Sequence, residues 1–214
     1  MPTNSRNDIP KITIDELIKK SPEQMNLAAV AGKGGLRKKQ ITSARIQKLG
    51  LALAGFSHYI HSGRIQIVGQ SEISYLNQLD SEKRIEAIHH LDLEKICCIL
   101  ITKNLAPPSE LIEIADNFDL PIILTPQVSS KAIVIISNFL EEELAPQVTL
   151  HGVLLEIYGI GMLLLGSSGI GKSECALDLI TRGHCLVSDD SVRIRKIGSR
   201  LEGSSPEMIF EHIE

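Results

Sequence analysis

Gly166-Ser167-Ser168-Gly169-Ile170-Gly171-Lys172-Ser173 is the stretch on which the fold of this 214-residue chain turns. It satisfies G-x-x-x-x-G-K-[ST] in the setting that the pattern needs. The apolar run Met162–Leu165 leads in as a strand, and Glu174–Thr181 leads out with the spacing of an amphipathic helix. Glycines here let backbone N–H groups turn inward around phosphate oxygens, and the positive end of the helix adds to the attraction. In such a loop Lys172 reaches the β- and γ-phosphates and the Ser173 hydroxyl coordinates Mg²⁺. At average residue usage the bare pattern arises by chance in roughly one chain of this length in a hundred. The strand–loop–helix setting makes chance rarer still, so Gly166–Ser173 is expected to hold the phosphates of a nucleotide.

Downstream, Arg182-Gly183-His184 stops the helix with a glycine just past its end. A short strand, Cys185–Ser188, then delivers Asp189-Asp190 at its carboxyl end, where α/β sheets place ligand-binding groups. A carboxylate there can hold Mg²⁺ or accept a proton from an attacking hydroxyl. Side chains alternate along a strand, so both carboxylates face the loop only if the strand has ended or bulged; otherwise one is structural. Upstream, Val153–Ile157 and Met162–Leu165 flank Tyr158-Gly159-Ile160-Gly161 and read as a hairpin feeding the loop. His151 stands beside Gly152 at the mouth of that hairpin. By pattern alone it reads as an ordinary solvated or core residue, as do His58, His61, His89, His90, His184 and His212.

Toward the N-terminus the chain alternates between strand and helix patterns. Apolar runs at Leu27–Val30, Ile65–Val68, Ile96–Ile101 and Ile122–Leu124 predict strands; Ile41–Ala54, Ser81–His90 and Ser109–Asn117 predict helices. Thr13 with Glu16, and Ser21-Pro22 with Gln24, read as capping-box helix starts. This β-α-β rhythm predicts an α/β protein with an open sheet covered by helices. Ser129–Leu144 carries the stripe Ile133, Ile136, Leu140 before Glu141–Glu143 and Pro146, and it predicts a linking helix. The expected organisation is an N-terminal open β-α-β domain over 1–128, a linking helix over 129–147, and a phosphate-loop domain over 148–214. Lys33-Gly34-Gly35 lacks any phosphate-loop pattern and reads as a turn.

Hydrophobic residues at 43% and charged residues at 22% match ordinary globular domains. A net charge of -4 gives no basic footprint for a nucleic acid backbone. The polar start Met1–Lys11 has no apolar leader core, and no apolar run is long enough to span a membrane, so a cytoplasmic protein is expected. Cys97, Cys98, Cys175 and Cys185 have no metal-like or paired spacing and are expected as reduced, mostly buried thiols.

Taken together, five segments resemble the HPr kinase/phosphorylase family in order and spacing. They are His151-Gly152-Val153, the Tyr158–Gly161 turn, Gly166–Ser173 followed by Glu174, Arg182-Gly183-His184, and Leu186-Val187-Ser188-Asp189-Asp190. Arg64-Ile65-Gln66-Ile67-Val68-Gly69 and Glu72-Ile73-Ser74-Tyr75-Leu76 resemble the family's N-terminal domain, so the likeness runs from about Thr13 onward.

The resemblance implies an enzyme that phosphorylates a serine of HPr, the phosphocarrier of the bacterial sugar phosphotransferase system. ATP, or pyrophosphate in many members, is the donor, and phosphorolysis is the reverse step. It further implies a hexameric homo-oligomer. Position by position it implies Lys172 and Ser173 at phosphate and Mg²⁺, and Asp190 as proton acceptor in the forward direction and donor in reverse. His151 is implied as the partner of Asp190. Family members run through a stretch of the type L-E-[IV]-R-G, of which Ile213-Glu214 forms the first half. Glu214 matches its Mg²⁺-binding glutamate, and the phosphate-loop kinase domain is on this reading incomplete. A non-catalytic nucleotide-binding or regulatory remnant is the alternative. A small-molecule kinase would leave the spacing of His151 and Asp189-Asp190 unexplained.

Overall fold

Thr13 opens the first helix in the way its side chain predicts. Its hydroxyl accepts the Glu16 N–H at 3.2 Å, and the Glu16 carboxylate accepts the Thr13 N–H at 2.9 Å. The structure, a computed structural model, describes residues 10–56, 58 and 60–206. Two units emerge, Met1–Leu144 and Ala145–Glu214.

The first unit runs β1 (Ile12–Thr13), α1 (Ile14–Lys20), β2 (Ala28–Ala31), β3 (Gln40–Ile41), β4 (Gln47–Lys48), α2 (Gly50–Leu53), β5 (Ile65–Val68), α3 (Gln70–Gln78), α4 (Ser81–His89), β6 (Cys98–Ile101), α5 (Ser109–Asn117), β7 (Ile122–Leu124) and α6 (Ser129–Glu143). Its main sheet has the order β2-β7-β6-β5-β4, parallel from β4 to β7 with β2 antiparallel at the edge. Helices cover both faces, and the alternation of side chains decides which core each strand residue joins. Ile99, Ile101 and Ile122 pack with Leu76, Ile88 and Leu111 on one face. Ile65, Ile67, Leu100 and Ile123 pack with Leu17, Ala132 and Ile136 on the other. Burial on both faces explains the unbroken apolar runs of β5, β6 and β7.

Four expectations change here. Ile41–Ala54 is not one helix: Ile41 pairs with Ile12 in a two-stranded sheet, Lys48 pairs with Ile67, and only Gly50–Leu53 is helical. Backbone pairing with a neighbouring strand overrides local helical spacing at these positions. Ser21-Pro22 starts only a 3₁₀ turn, Glu23–Met25. The helix expected as a linker is Ser129–Glu143, and its Ala132, Ile136 and Leu140 are buried in the first unit's core. Cys97 and Cys98 are buried, but Cys175 and Cys185 are exposed. Helix α3 went unpredicted because its polar residues leave only Ile73 and Leu76 to mark the buried face. Lys33–Gly35 is the expected turn, one 3₁₀ turn long.

The second unit contains β8 (Gln147–His151), β9 (Val153–Ile157), β10 (Ile160–Leu164), α7 (Lys172–Thr181), β11 (Cys185–Ser188), β12 (Ser191–Ile197) and β13 (Arg200–Ser204). Tyr158 and Gly159 have φ of 50° and 80°, the pair of positive values that a tight type I′ hairpin turn requires, so Ile160 and Gly161 already belong to β10. Two three-stranded sheets result, β10-β9-β11 and β13-β12-β8. Every pairing described in this unit is antiparallel, beginning with the expected hairpin of β9 and β10. Val153, Leu155 and Ala176 form its small buried core.

Candidate active site

The antiparallel order of β10-β9-β11 builds the site. Both β10 and β11 run against β9, so their carboxyl ends lie at the same edge, where β9 begins. The register pairs Leu164 with Val153 and Ser188 with Leu154. Three separate stretches of sequence therefore meet there: His151-Gly152 before β9, Gly166–Ser173 after β10, and Asp189-Asp190 after β11. A cleft of about 170 Å³ is lined by His151, Gly152, Ser168, Gly169, Gly171, Lys172, Ser173, Glu174, Asp189 and Asp190.

Gly169 and Gly171 carry φ of 81° and 96°, the left-handed backbone that lets the loop curl before α7 starts at Lys172. Gly171, the cap residue, brings no side-chain acceptor to the first-turn N–H groups of α7. Those groups and the helix dipole point their positive end at the loop. The Lys172 ammonium donates to the carbonyls of Gly166 at 3.0 Å and Ser167 at 2.9 Å, which keeps its charge on the loop. Ser167, Ile170 and Gly166 belong to the loop without lining the cleft.

Strand β11 bulges between Leu186 and Ser188 and ends there. Asp190 then takes φ 67°, and its N–H donates to the Asp189 carboxylate at 3.0 Å. Strand alternation no longer applies past Ser188, which is how both aspartates come to line one cleft. The Ser191 N–H donates to the Asp189 carbonyl at 2.8 Å and the Ser188 hydroxyl to the Ser191 carbonyl at 2.6 Å, which ties off the turn. His151 pairs with Ser191 across β8 and β12. Among the described residues, His151 and Asp190 share the cleft with no hydrogen bond between their side chains.

Glu174 lines the cleft from the first turn of α7 and was not a candidate; its place directly after Ser173 is the signal that could have found it. Gly152 was likewise no candidate, although an added Cβ would stand 2.7 Å from the Leu164 carbonyl oxygen. Glu214 and His212 lie outside the described residues. Chemically the cleft offers a curled backbone of N–H donors, the Lys172 ammonium, the hydroxyls of Ser168 and Ser173, the His151 imidazole, and the carboxylates of Glu174, Asp189 and Asp190. That donor set fits a polyphosphate accompanied by a divalent cation. Among the described residues no three His, Cys, Asp or Glu side chains converge as a metal cage.

Two family models match the chain. The model for the HPr Serine kinase N terminus matches residues 12–140, and that for the HPr Serine kinase C-terminal domain matches residues 142–214. The chain is 43% identical over 204 residues to an HPr kinase/phosphorylase of Geobacter sulfurreducens, covering 95% of this chain and 64% of that protein. With an HPr kinase/phosphorylase of Brevibacillus brevis it shares 40% identity over 193 residues, covering 90% and 62%. It thus spans just under two thirds of the length of these relatives. The solved structure of the Hpr(Ser) kinase/phosphatase from Coxiella burnetii is 43% identical over 28% of this chain and 37% of that one, with a TM-score of 0.27.

Proposed function

The chain belongs to the HPr serine kinase family, and from that premise we propose that its second unit binds ATP with Mg²⁺ and directs phosphoryl transfer to a serine of the phosphocarrier HPr. The observation that carries the proposal is the convergence of Gly166–Ser173, Asp189-Asp190 and His151 on one sheet edge.

In this reading the N–H groups of Gly169–Ser173 and the Lys172 ammonium hold the β- and γ-phosphates. The Ser173 hydroxyl and the Asp189 carboxylate hold the cation, with Glu214 as a further candidate ligand. Mg²⁺ usually keeps several waters and takes only one or two carboxylates from the protein, a number that Asp189 and Glu214 would supply. When bound, ATP supplies the phosphoryl group and the cation neutralises its charge. Asp190 accepts the proton of the incoming serine hydroxyl, and His151 orients and balances that carboxylate from across the cleft. Phosphoryl transfer asks for positioning and charge neutralisation more than for covalent steps, and these residues supply both. A cleft of about 170 Å³ is below the usual range for a whole small molecule, so the phosphates enter and the nucleoside stays outside. Pyrophosphate as donor, and phosphorolysis as the reverse step, use the same phosphate positions. By family resemblance the assembly is a homo-oligomer.

The test is to incubate the chain with HPr, ATP and Mg²⁺ and to locate phosphate on HPr by mass spectrometry. Serine phosphorylation that depends on Lys172 supports the proposal. Nucleotide binding by calorimetry without transfer to HPr would sink the kinase reading in favour of a nucleotide-binding regulatory module.

A further inference from the structure

The first unit carries a cavity that the kinase reading does not use. Its volume is about 480 Å³, and it opens at the carboxyl ends of the parallel strands β4, β5 and β6, lined by Lys48, Ile67, Gly69–Glu72, Lys103 and Val128–Ser130. Parallel α/β sheets bind their ligands at this edge because the strand ends and the following helix starts open there together. The size lies within the range of small-molecule sites.

We propose that this cavity binds a small phosphate monoester, with the phosphate between Lys48 and Lys103 and the organic part against the exposed Val128. Lys48 ends β4, and Lys103 follows β6, held in place by its N–H donating to the Gln127 carbonyl at 2.9 Å. Two ammonium groups thus reach one cavity from two strands. Among the described residues neither has a carboxylate within ion-pair distance. Such a pair repels itself and is relieved by an anion.

The wall between the lysines adds donors of the same sign. Helices α3 and α6 both begin at the cavity, and their cap residues Gly69 and Val128 offer no side-chain acceptor to the first-turn N–H groups. The two helix starts are close enough that a Cβ on Gly69 would stand 2.8 Å from the Ser129 hydroxyl. Ser71, Ser129 and Ser130 contribute hydroxyls. The Ser129 hydroxyl is fixed by a 2.9 Å hydrogen bond with that of Thr102, which is itself buried and donates to the Val68 carbonyl. Glu72 is the one acidic residue in the lining, and its carboxylate accepts the Gly69 N–H at 2.9 Å, which ties that charge to the start of α3. The lining therefore keeps an excess of positive charge and N–H donors, and the exposed Val128 gives the organic part of a monoester an apolar surface that a bare anion would not need.

The experiment uses the full chain carrying Lys172→Ala, so that the loop of the second unit does not compete for the anion. Backbone amides are followed by ¹⁵N–¹H NMR while glucose 6-phosphate is added, with inorganic phosphate in a parallel titration. The amides of Gln70, Ser71, Ser129 and Ser130 are expected to shift with saturation, and Lys48→Ala or Lys103→Ala should each weaken binding about 10-fold, as loss of one charge-assisted contact does. Inorganic phosphate should bind at the same amides more weakly. Unmoved amides, shifts indifferent to both lysine variants, or equal affinity for the two titrants would each overturn the proposal. None of these outcomes bears on the kinase reading, since the loop lysine is already removed.

Discussion

The Gly152 N–H donates to the carbonyl of Asp190 at 3.1 Å, a hydrogen bond that joins the start of β9 to the turn carrying the two aspartates. Gly152 also sits too close to β10 for any side chain, since a Cβ would come 2.7 Å from the Leu164 carbonyl oxygen and 3.0 Å from Leu165. One residue thus holds all three segments of the cleft in register. Gly152→Ala should destabilise the second unit by about 1–3 kcal/mol through overpacking against backbone. Hydrogen exchange at the β9 and β11 amides measures it, and unchanged protection would show that the junction has room to spare.

Lys172→Ala removes the one ammonium of the loop. Charge-assisted contacts to phosphate contribute about 1.5–3 kcal/mol, so ATP affinity should fall by about 10–100-fold. Calorimetry with ATP and Mg²⁺ decides it; equal affinity in variant and parent removes Lys172 from the site.

Asp190→Asn keeps the shape of the turn and withdraws the proton acceptor. Nucleotide affinity should stay within a few-fold of the parent, while transfer to HPr should fall by about 10²–10⁴-fold, the usual share of general base catalysis. Equal transfer rates at saturating ATP would assign the proton to another group.

Acid should weaken the first unit through a specific pair. Glu110 lies in the first turn of α5, and its two carboxylate oxygens both accept from Nη1 of Arg84, at 2.8 and 2.9 Å, while Nε and Nη2 of Arg84 donate to the carbonyls of Leu76 and Leu79. Its own backbone N–H, the Arg84 guanidinium and the Ser81 hydroxyl together hold its pKa at about 2, down from 4.5. Because the folded value is the lower one, the contribution is complete above the unfolded pKa of 4.5 and is lost as pH falls toward about 2. Melting curves of the parent and Glu110→Gln between these limits should converge as pH drops. Curves that stay parallel would mean that the carboxylate charge contributes nothing to the fold.

The two units should also open separately under native conditions. The first has two extensive buried clusters on either side of its sheet, whereas Val153, Leu155 and Ala176 are the buried members of the second unit's core. Local stability follows buried apolar contact, so amides of β9 and β11 should exchange faster than those of β5 and β6. Slower exchange in β9 would show that the small core is reinforced from elsewhere.

Elements whose cause is local were legible from residue order. Thr13 and Glu16 cap each other three residues apart, Ser109–Asn117 repeats its apolar residues at helical spacing, and Ile65–Val68 and Ile122–Leu124 are apolar on both faces because both faces are covered. Ile41–Ala54 shows where that reading fails: its apolar residues recur at helical intervals, yet Ile41 and Lys48 find strand partners in Ile12 and Ile67, which lie far off in sequence. Strands β8, β12 and β13 also went unpredicted, although Val148 and Leu150 in β8 and Val192 and Ile194 in β12 alternate with polar neighbours at strand spacing; in the structure β12 pairs with both β8 and β13.

The sequence by itself determined several members of the cleft: the glycine-rich loop with Lys172 and Ser173 and the acidic pair are recognisable from their neighbours, whereas His151 was marked only by the family resemblance. Only the tertiary structure decided that they meet. The loop follows β10 and the acidic pair follows β11, and these strands share an edge because both run antiparallel to β9. The bulge at the end of β11 then releases Asp189 and Asp190 from strand alternation, so that both line the cleft. The hairpin of β9 and β10 is local, but the register of β11 on β9 and its bulge arise from hydrogen bonds between segments far apart in the chain, and no window of local sequence contains both partners of such a bond.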